Sequence, residues 1–339
     1  MRTALFSRTR GACLCVACFF ASAAGCSRVE PARTKFGGTW TMNLGARTFL
    51  VLMLRENSGT ITGTLARPEH FQTSNVGFHF TQISAATVRE PVVDASVQNG
   101  RLHLVTVSPK DKHDTSAYDL TLTGKDEATL KLADAPFDPW LVRRIPVGDQ
   151  ASVSTDWEPA RSYSQEEGKA PSAEMQRIFD ADQKGRQDFA SLSPEQRGAL
   201  GAQDAERRDQ TRSLLAAGRL HTGEDFKRAA FVFQHGDKPD DYLLAHTLAM
   251  VAVANGDADA IWIGAATLDR YLQAVGKPQI YGTQFKFDSN QTTTQEPYDR
   301  ALVSDALRRQ LDVPAQAVQV EQFKHLMADS RPSAAAKAK

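Results

Sequence analysis

The sequence predicts an α+β protein, with a small antiparallel β-barrel or sandwich followed by an all-α domain. From Phe36 to about Pro146, apolar and polar residues alternate with a period of two, which is typical of half-buried strands. From Ser172 onward the apolar period becomes helical, and the residues between these regions are polar without a sustained period. The expected divisions are 1–25 signal peptide, 26–35 tether, 36–147 β domain, 148–171 linker, 172–329 helical domain and 330–339 disordered tail.

The first 25 residues have the features of a secretory signal peptide. Arg2, Arg8 and Arg10 form a basic leader, and an apolar run of small residues follows that is too short to remain a membrane-spanning helix. The residues before Cys26, Ala-Ala-Gly, resemble the lipobox of bacterial lipoproteins, with alanine at Ala23 where leucine is usual. The resemblance implies cleavage before Cys26 and a lipid on its thiol, and Ser27 implies an outer-membrane address. The alternative is cleavage by the ordinary signal peptidase.

The cysteines and the charge balance limit the functions of the mature chain. All four cysteines lie in the leader or at its end, so cleavage leaves only Cys26 and neither an intramolecular disulfide nor a cysteine metal site. Subtracting the leader's three arginines from 40 basic side chains leaves 37 against 40 acidic ones, a net charge near −3. Because a basic excess is needed to neutralise phosphates, we expect no nucleic-acid partner. We expect no cofactor, a membrane attachment through the lipid on the periplasmic face of the outer membrane, and a small molecule or an envelope protein as partner.

The β domain contains eight or nine short strands separated by turn residues, which indicates an antiparallel barrel or sandwich. Asn57-Ser58-Gly59, Asn99-Gly100 and Gly124-Lys125-Asp126 are hairpin signals. Gly38-Thr39-Trp40, with GTITGTL after it, resembles the opening of calycin-like (lipocalin-type) barrels, and this resemblance bears on the fold only. The predicted strands are Thr39–Leu44, Thr48–Arg55, Gly59–Ala66, Phe78–Ile83, Val92–Val97, Arg101–Val107, Ala117–Leu122, Thr129–Leu132 and Leu141–Ile145.

The linker contains one large apolar residue, Trp157, which suggests that it docks on a domain. Beyond it, serine, threonine, glycine and proline residues mark the boundaries of seven helices. The predicted helices are Ala173–Ser191, Pro194–Ala217, Gly223–Gly236, Asp240–Asn255, Asp257–Val275, Pro297–Leu311 and Ala315–Ala328.

Three polar residues of the predicted helices are candidates for chemistry: His235, His246 and Asp269. His246 lies within a helix that is apolar nearly all round, and such a helix is enclosed by neighbours. His235 ends the third predicted helix. Asp269 falls about 60° from the centre of an apolar stripe, where a carboxylate must be paired or protonated because an unpaired buried charge is costly.

A short non-helical segment supplies candidates for ligand binding. Four hydrogen-bonding side chains, those of Gln279, Tyr281, Thr283 and Gln284, lie between two predicted helices and could line a pocket. The alternative is a structural loop whose polar groups satisfy neighbouring helix ends.

Four short motifs together resemble the family catalogued as domain of unknown function 6624. They are Asp182-Gln183, Gln234-His235, Asp269-Arg270 and PQIYGTQF at 278–285, and the resemblance covers about Ala173 to Leu311. It implies the domain boundary and adds Gln183, Gln234 and Arg270 to the ligand-binding candidates, and it implies no reaction.

Two functional hypotheses follow. The first is an envelope protein that binds a small ligand or partner through a polar-lined site in the helical domain. The second is a hydrolase or lyase in which His235 or His246 is the general base and Asp269 orients it or acts as acid. In that case Tyr281, Thr283 and Gln284 stabilise developing charge.

An alternative to both hypotheses is the interpretation that these candidate residues have only structural roles. The histidines are core or surface residues in that interpretation, and Asp269 is part of a salt bridge or a helix-to-loop hydrogen bond. The acidic segments 180–182 and 204–209 are predicted to be solvated helix faces. The sequence contains no nucleophile elbow, phosphate-binding glycine loop, dinucleotide fingerprint or recognisable metal-ligand spacing.

Overall fold

The structure, a computed structural model, describes residues 35–187, 189–287 and 293–329. The predicted signal peptide, Cys26, the tether before Lys35 and the predicted tail lie outside the described residues. Residues 38–144 form a closed antiparallel barrel of eight strands, and a helical region follows, so the α+β prediction is confirmed with a barrel rather than a sandwich. The strands are β1 Gly38–Leu44, β2 Arg47–Asn57, β3 Thr60–Pro68, β4 Gln72–Thr73, β5 Phe80–Thr81, β6 Thr87–Gln98, β7 Arg101–Val107, β8 Thr115–Leu122, β9 Glu127–Leu132 and β10 Trp140–Arg144.

The strands follow each other around the barrel in the order β1-β10-β9-β8-β7-β6-β3-β2, and β2 pairs with β1 to close it. The barrel sheet therefore has no unpaired edge strand. Alternate residues of the strands point inward, and Trp40, Leu52 and Leu104 are fully buried in a continuous apolar core. Asn99 and Gly100 both have positive φ, as the predicted two-residue hairpin between β6 and β7 requires.

The predicted strand Phe78–Ile83 differs from the structure. Only Phe80 and Thr81 are extended, and they pair with the equally short β4 outside the barrel sheet. Phe80 and Ile83 are buried in the barrel core. The apolar residues of this segment therefore fill the barrel instead of widening its wall.

The segment 148–171 joins the barrel to the helical region by specific contacts. Trp157 and Tyr163 belong to the barrel core, and the backbones of Tyr163 and Phe80 exchange hydrogen bonds of 2.8 and 2.9 Å. On the other side, Glu166 Oε2 lies 2.7 Å from Nδ1 of His221. The residues that the sequence marks as a linker thus contact both neighbours.

After the linker, the described residues form seven α-helices, two 3-10 turns and a two-stranded ribbon of β11 Lys286–Phe287 and β12 Thr293–Thr294. Helices α3, α4 and α5 pack around alanine-rich surfaces, with Ala230, Ala245 and Ala266 in the centre of their apolar core. None of the helices among the described residues is long and apolar enough to cross a membrane. The helices are α1 Ala173–Lys184, α2 Pro194–Ala216, α3 Gly223–Phe233, α4 Pro239–Ala254, α5 Ile261–Ala274, α6 Asp305–Gln310 and α7 Gln316–Asp329.

Two helix predictions are too long. The first helix ends at Lys184, and a separate 3-10 turn covers Phe189–Ser191. The helix predicted over Pro297–Leu311 begins only at Asp305, where the Ser304 side chain caps it by accepting from the Leu307 N–H. The preceding residues include Tyr298, which pairs with Gln279 in an isolated parallel bridge.

Candidate functional site

A buried carboxylate and a histidine meet where α1 packs against α3. Asp182, in the last turn of α1, is fully buried, and its Oδ1 lies 3.1 Å from Nδ1 of His235, just after α3. Because a carboxylate only accepts hydrogen bonds, this contact places the ring hydrogen on Nδ1. Gln183 donates from Nε2 to the other carboxylate oxygen at 3.0 Å. Two of the residue pairs singled out in the sequence therefore form one hydrogen-bonded unit.

Two arginines surround this unit. Arg186 lies 3.7 Å from Oδ1 of Asp182 and 2.7 Å from Oδ2 of Asp204. Arg207, on α2, lies 3.7 Å from the same oxygen of Asp182 and also contacts Asp204. The carboxylate that contacts the histidine is thus held by one cation from α2 and one from the turn that follows α1.

A third arginine, Arg270, lies on α5. Burial lowers the pKa of its guanidinium, and repulsion from nearby Arg186 lowers it further, against the opposing influence of Tyr242. Within the described part of the chain, Arg270 has no carboxylate partner, and its buried Nε has no hydrogen-bond acceptor. We call Asp182, Arg186, Asp204, Arg207 and His235, together with Arg270, the His235 cluster.

The free edge of His235 is the chemically available part of the cluster. Its side chain retains 17% exposure, and its Nε2 has no hydrogen-bond partner among the described residues. In a neutral ring with its hydrogen on Nδ1, Nε2 is a hydrogen-bond acceptor. Gln234, which precedes it, is buried and ends α3 as its C-cap, and its side chain makes no hydrogen bond within the described chain.

Asp269 contacts a loop rather than a histidine. Its two oxygens accept hydrogen bonds from the backbone N–H groups of Ile280, Tyr281 and Thr283 at 2.8, 3.0 and 3.0 Å. The Thr283 hydroxyl donates a fourth hydrogen bond at 2.8 Å. Asp182, not Asp269, is the carboxylate that meets His235.

The loop after α5 is closed by its own polar groups. Gln279 is fully buried and accepts from the N–H of Gln284 while donating to the Gln284 carbonyl and to that of Gln295. The side-chain Nε2 of Gln284 donates hydrogen bonds to the Ala266 carbonyl and to the Thr283 hydroxyl. The side chains of Gln279, Thr283 and Gln284 therefore make structural hydrogen bonds. Gln279 stabilises the loop itself, and Thr283 and Gln284 attach it to α5.

His246 lies apart from this arrangement, in an open apolar groove between α4 and α5. Its Nδ1 lies 2.8 Å from the carbonyl of Gly264. The groove has a volume of about 310 Å³, and it is lined by apolar side chains with His246 and Tyr281 among them. Burial raises the pKa of Tyr281, and Asp269 raises it further. The structure thus places His246 with Tyr281, and His235 with Gln183 and Asp182.

A second, more polar cavity of about 400 Å³ lies where the barrel, the linker and the helical region meet. His79 from the barrel side, Ser162 from the linker and His221 from the helical side are among its lining residues. The hydroxyl of Ser162 lies 3.4 Å from Nδ1 of His79, whose pKa is lowered by burial.

Sequence reasoning missed the charged environment of His235. The acidic segments 180–182 and 204–209 were predicted to be solvated, and this is wrong for Asp182, Asp204, Arg207 and Arg208, which are buried. The reason is that α2 packs on its neighbours through buried ion pairs as well as through apolar residues such as Leu214. The spacing of Asp182 and Arg186, four residues apart in the helix predicted over Ala173–Ser191, was the available signal.

No protein-family model, curated protein or solved structure matches the chain, so the resemblance drawn from the four motifs remains a prediction. Among the described residues, no group of three or more histidine, cysteine or acidic side chains is arranged to hold a metal ion. The site must therefore be interpreted from its own geometry.

Proposed function

We propose that the helical domain binds an anionic small molecule at the His235 cluster. The observation that carries this proposal is Arg270, whose half-buried side chain has a buried Nε without a hydrogen-bond acceptor and no carboxylate partner in the described chain, while the charge of Arg186 disfavours its protonated form. Taking an unpaired charge out of water costs several kcal/mol, and a bound anion offsets that cost.

The charges of the neighbouring groups support the same conclusion. Arg186, Arg207 and Arg270 contribute three positive charges, and Asp182 and Asp204 contribute two negative ones, which leaves one excess positive charge. Arginine binds carboxylate and phosphate groups through two parallel hydrogen bonds, so the excess charge also has the right donor geometry for an oxyanion.

The test is calorimetric titration of the full chain with sodium phosphate and with sodium acetate at constant ionic strength. We expect Arg270→Gln to weaken binding of the preferred anion at least about tenfold, because a charge-assisted hydrogen-bond pair is lost. Arg219→Gln, at an exposed arginine of the same domain, is the matched control. Unchanged affinity in a folded Arg270→Gln variant contradicts the proposal.

A second candidate is a hydrolase that uses the Asp182–His235 pair. The specific observation in its favour is the free Nε2 of His235, because a carboxylate at Nδ1 is the arrangement by which proteins orient a histidine as a general base. In that role Nε2 takes a proton from water, and Arg270 and Arg186 stabilise the developing anion.

This candidate is tested with p-nitrophenyl phosphate and p-nitrophenyl acetate. We expect His235→Ala to abolish turnover while anion binding persists, and His221→Ala, at a histidine outside the cluster, to leave turnover unchanged. Equal rates for the wild type and His235→Ala contradict catalysis by the pair.

We also propose that the protein is exported and anchored to the envelope by a lipid on Cys26. The support is the leader and the lipobox-like residues before Cys26. Metabolic labelling with a fatty acid tests the anchor, and we expect Cys26→Ala to remove the label. A labelled Cys26→Ala variant contradicts the proposal.

A further inference from the structure

We propose that the polar cavity between the barrel, the linker and the helical region is a second binding site, and that it takes a neutral, hydroxyl-rich ligand of the saccharide class. No residue of the His235 cluster lines this cavity, so the proposal does not depend on anion binding at that cluster.

Three parts of the chain build the cavity. His79 comes from the segment around Phe80, Ser164 from the linker, and His221 and Asn255 from the helical region. The volume of about 400 Å³ lies in the range of small-molecule sites, and such sites form preferentially where domains meet. The cavity exists only while the three parts stay together, so a bound ligand also stabilises their arrangement.

One polar side chain in the cavity wall is buried without a partner. Ser164 is 7% exposed, and its hydroxyl makes no hydrogen bond to any described residue. The backbone holds Ser164 in place, because its carbonyl accepts from the Glu167 N–H and the preceding Tyr163 pairs with Phe80. A buried hydroxyl without a partner costs free energy, and a hydrogen-bonding ligand in the cavity offsets that cost.

The charged side chains of the wall favour a neutral ligand. Three of them line the cavity, and each already contacts an opposite charge. The ion pairs are Arg161 with Glu158, Arg161 with Glu167, and Glu166 with Lys169. A charged ligand would lose hydration on entering, and no lining charge is left to pair with it.

The remaining polar groups favour a ligand with several hydroxyls. The side-chain amide of Asn255 donates to the Val251 carbonyl, and its Oδ1 has no donor among the described residues. The hydroxyl oxygen of Thr222 accepts from the Asp225 N–H, and its hydrogen has no acceptor there. A ligand hydroxyl both donates and accepts, so it can bind the amide oxygen as well as the hydroxyls of Thr222 and Ser164. A saccharide carries several such groups on one rigid ring.

The experiment is saturation-transfer NMR of the full chain with glucose and galactose, each compared with its uronate. We expect at least one neutral sugar to bind, and its uronate to bind at least about tenfold more weakly because its carboxylate finds no free cation in the cavity. A uronate could also bind at the proposed anion site. Only binding that a cavity-blocking variant removes is therefore assigned to the cavity.

The blocking variant is Ala254→Phe, at an exposed position of the cavity wall in the last turn of α4, and we expect it to abolish sugar binding. Its control is Ala216→Phe, at the exposed last residue of α2. Ser164→Ala removes one hydrogen bond and should weaken binding about fivefold. Ser152→Ala, at an exposed serine of the linker, is the control for this variant.

Each other outcome overturns part of the proposal. Absence of binding by both neutral sugars overturns it entirely. Cavity binding of a uronate that equals that of its neutral sugar overturns the neutral ligand. Sugar binding that persists in Ala254→Phe, or that is unchanged in Ser164→Ala, overturns the location. None of these results decides anion binding at the His235 cluster, which is tested with Arg270→Gln.

Discussion

Replacing Asp269 by alanine tests whether this residue holds the loop after α5 or belongs to the chemistry of the site. The carboxylate accepts four hydrogen bonds, three from backbone N–H groups and one from Thr283. It is fully buried, so alanine leaves these donors without an acceptor and with little access to water.

The expected loss of stability is large. An orphaned buried donor costs about 1–3 kcal/mol, and relaxation of the loop toward solvent recovers part of the sum. We therefore expect Asp269→Ala to lower the free energy of unfolding by about 4 kcal/mol, which is at the upper end for a single substitution. Thr283→Val removes one of the four hydrogen bonds and is expected to cost about 1 kcal/mol.

Urea denaturation followed by far-ultraviolet circular dichroism at the helix signal measures this change. With a slope of about 2 kcal/mol per molar urea, a loss of 4 kcal/mol moves the midpoint by about 2 M. Asp259→Ala is the control because Asp259 is 91% exposed. A midpoint shift below about 0.5 M for Asp269→Ala refutes the structural role.

Three further outcomes are expected. Gly282→Ala should lower the free energy of unfolding by more than about 2 kcal/mol, measured by urea denaturation. Gly282 has φ +81°, and an added Cβ would clash with Oε1 of Gln319. A variant as stable as the wild type contradicts this prediction. Trp157→Ala should destabilise the barrel by about 3–5 kcal/mol, seen as an earlier near-ultraviolet transition, and an unchanged transition would show that the linker does not complete the core. Burial lowers the pKa of His79 below its usual 6.5, so its contribution to stability is present above that value and is lost as the pH falls through the lower folded value. His79→Gln should flatten this part of the stability profile, and an equally steep profile would contradict the assignment.

The strands and most helices could be predicted because their signals are local. Period-two alternation, the Asn99-Gly100 turn and the capping residues Ser193 and Thr222 act within a few neighbours along the chain. The segment around Phe80 and the shortened α6 were mispredicted for the opposite reason. The burial of Phe80 inside the barrel, and the pairing of Tyr298 with Gln279, depend on residues far away in sequence.

The candidate site was predictable only in part. His235 and Gln183 could be singled out, but their contact with one shared carboxylate, that of Asp182, does not follow from spacing. For Asp269, the sequence showed that the residue lies close to an apolar helix face. It did not show which groups donate hydrogen bonds to the carboxylate. The helical period of a sequence shows on which face of the helix a residue lies. It does not show which other element packs against that face.

By itself, the sequence determined the order of a barrel and a helical region, because period and turn chemistry are properties of short segments. Only the tertiary structure decided that the strands close into a barrel and that Asp182 serves His235. It also decided that the Nε of Arg270 is buried without a hydrogen-bond acceptor and that Arg270 has no carboxylate partner in the described chain. The physical reason is that the energy of a buried charge depends on what surrounds it in space, and those neighbours come from helices separated by dozens of residues.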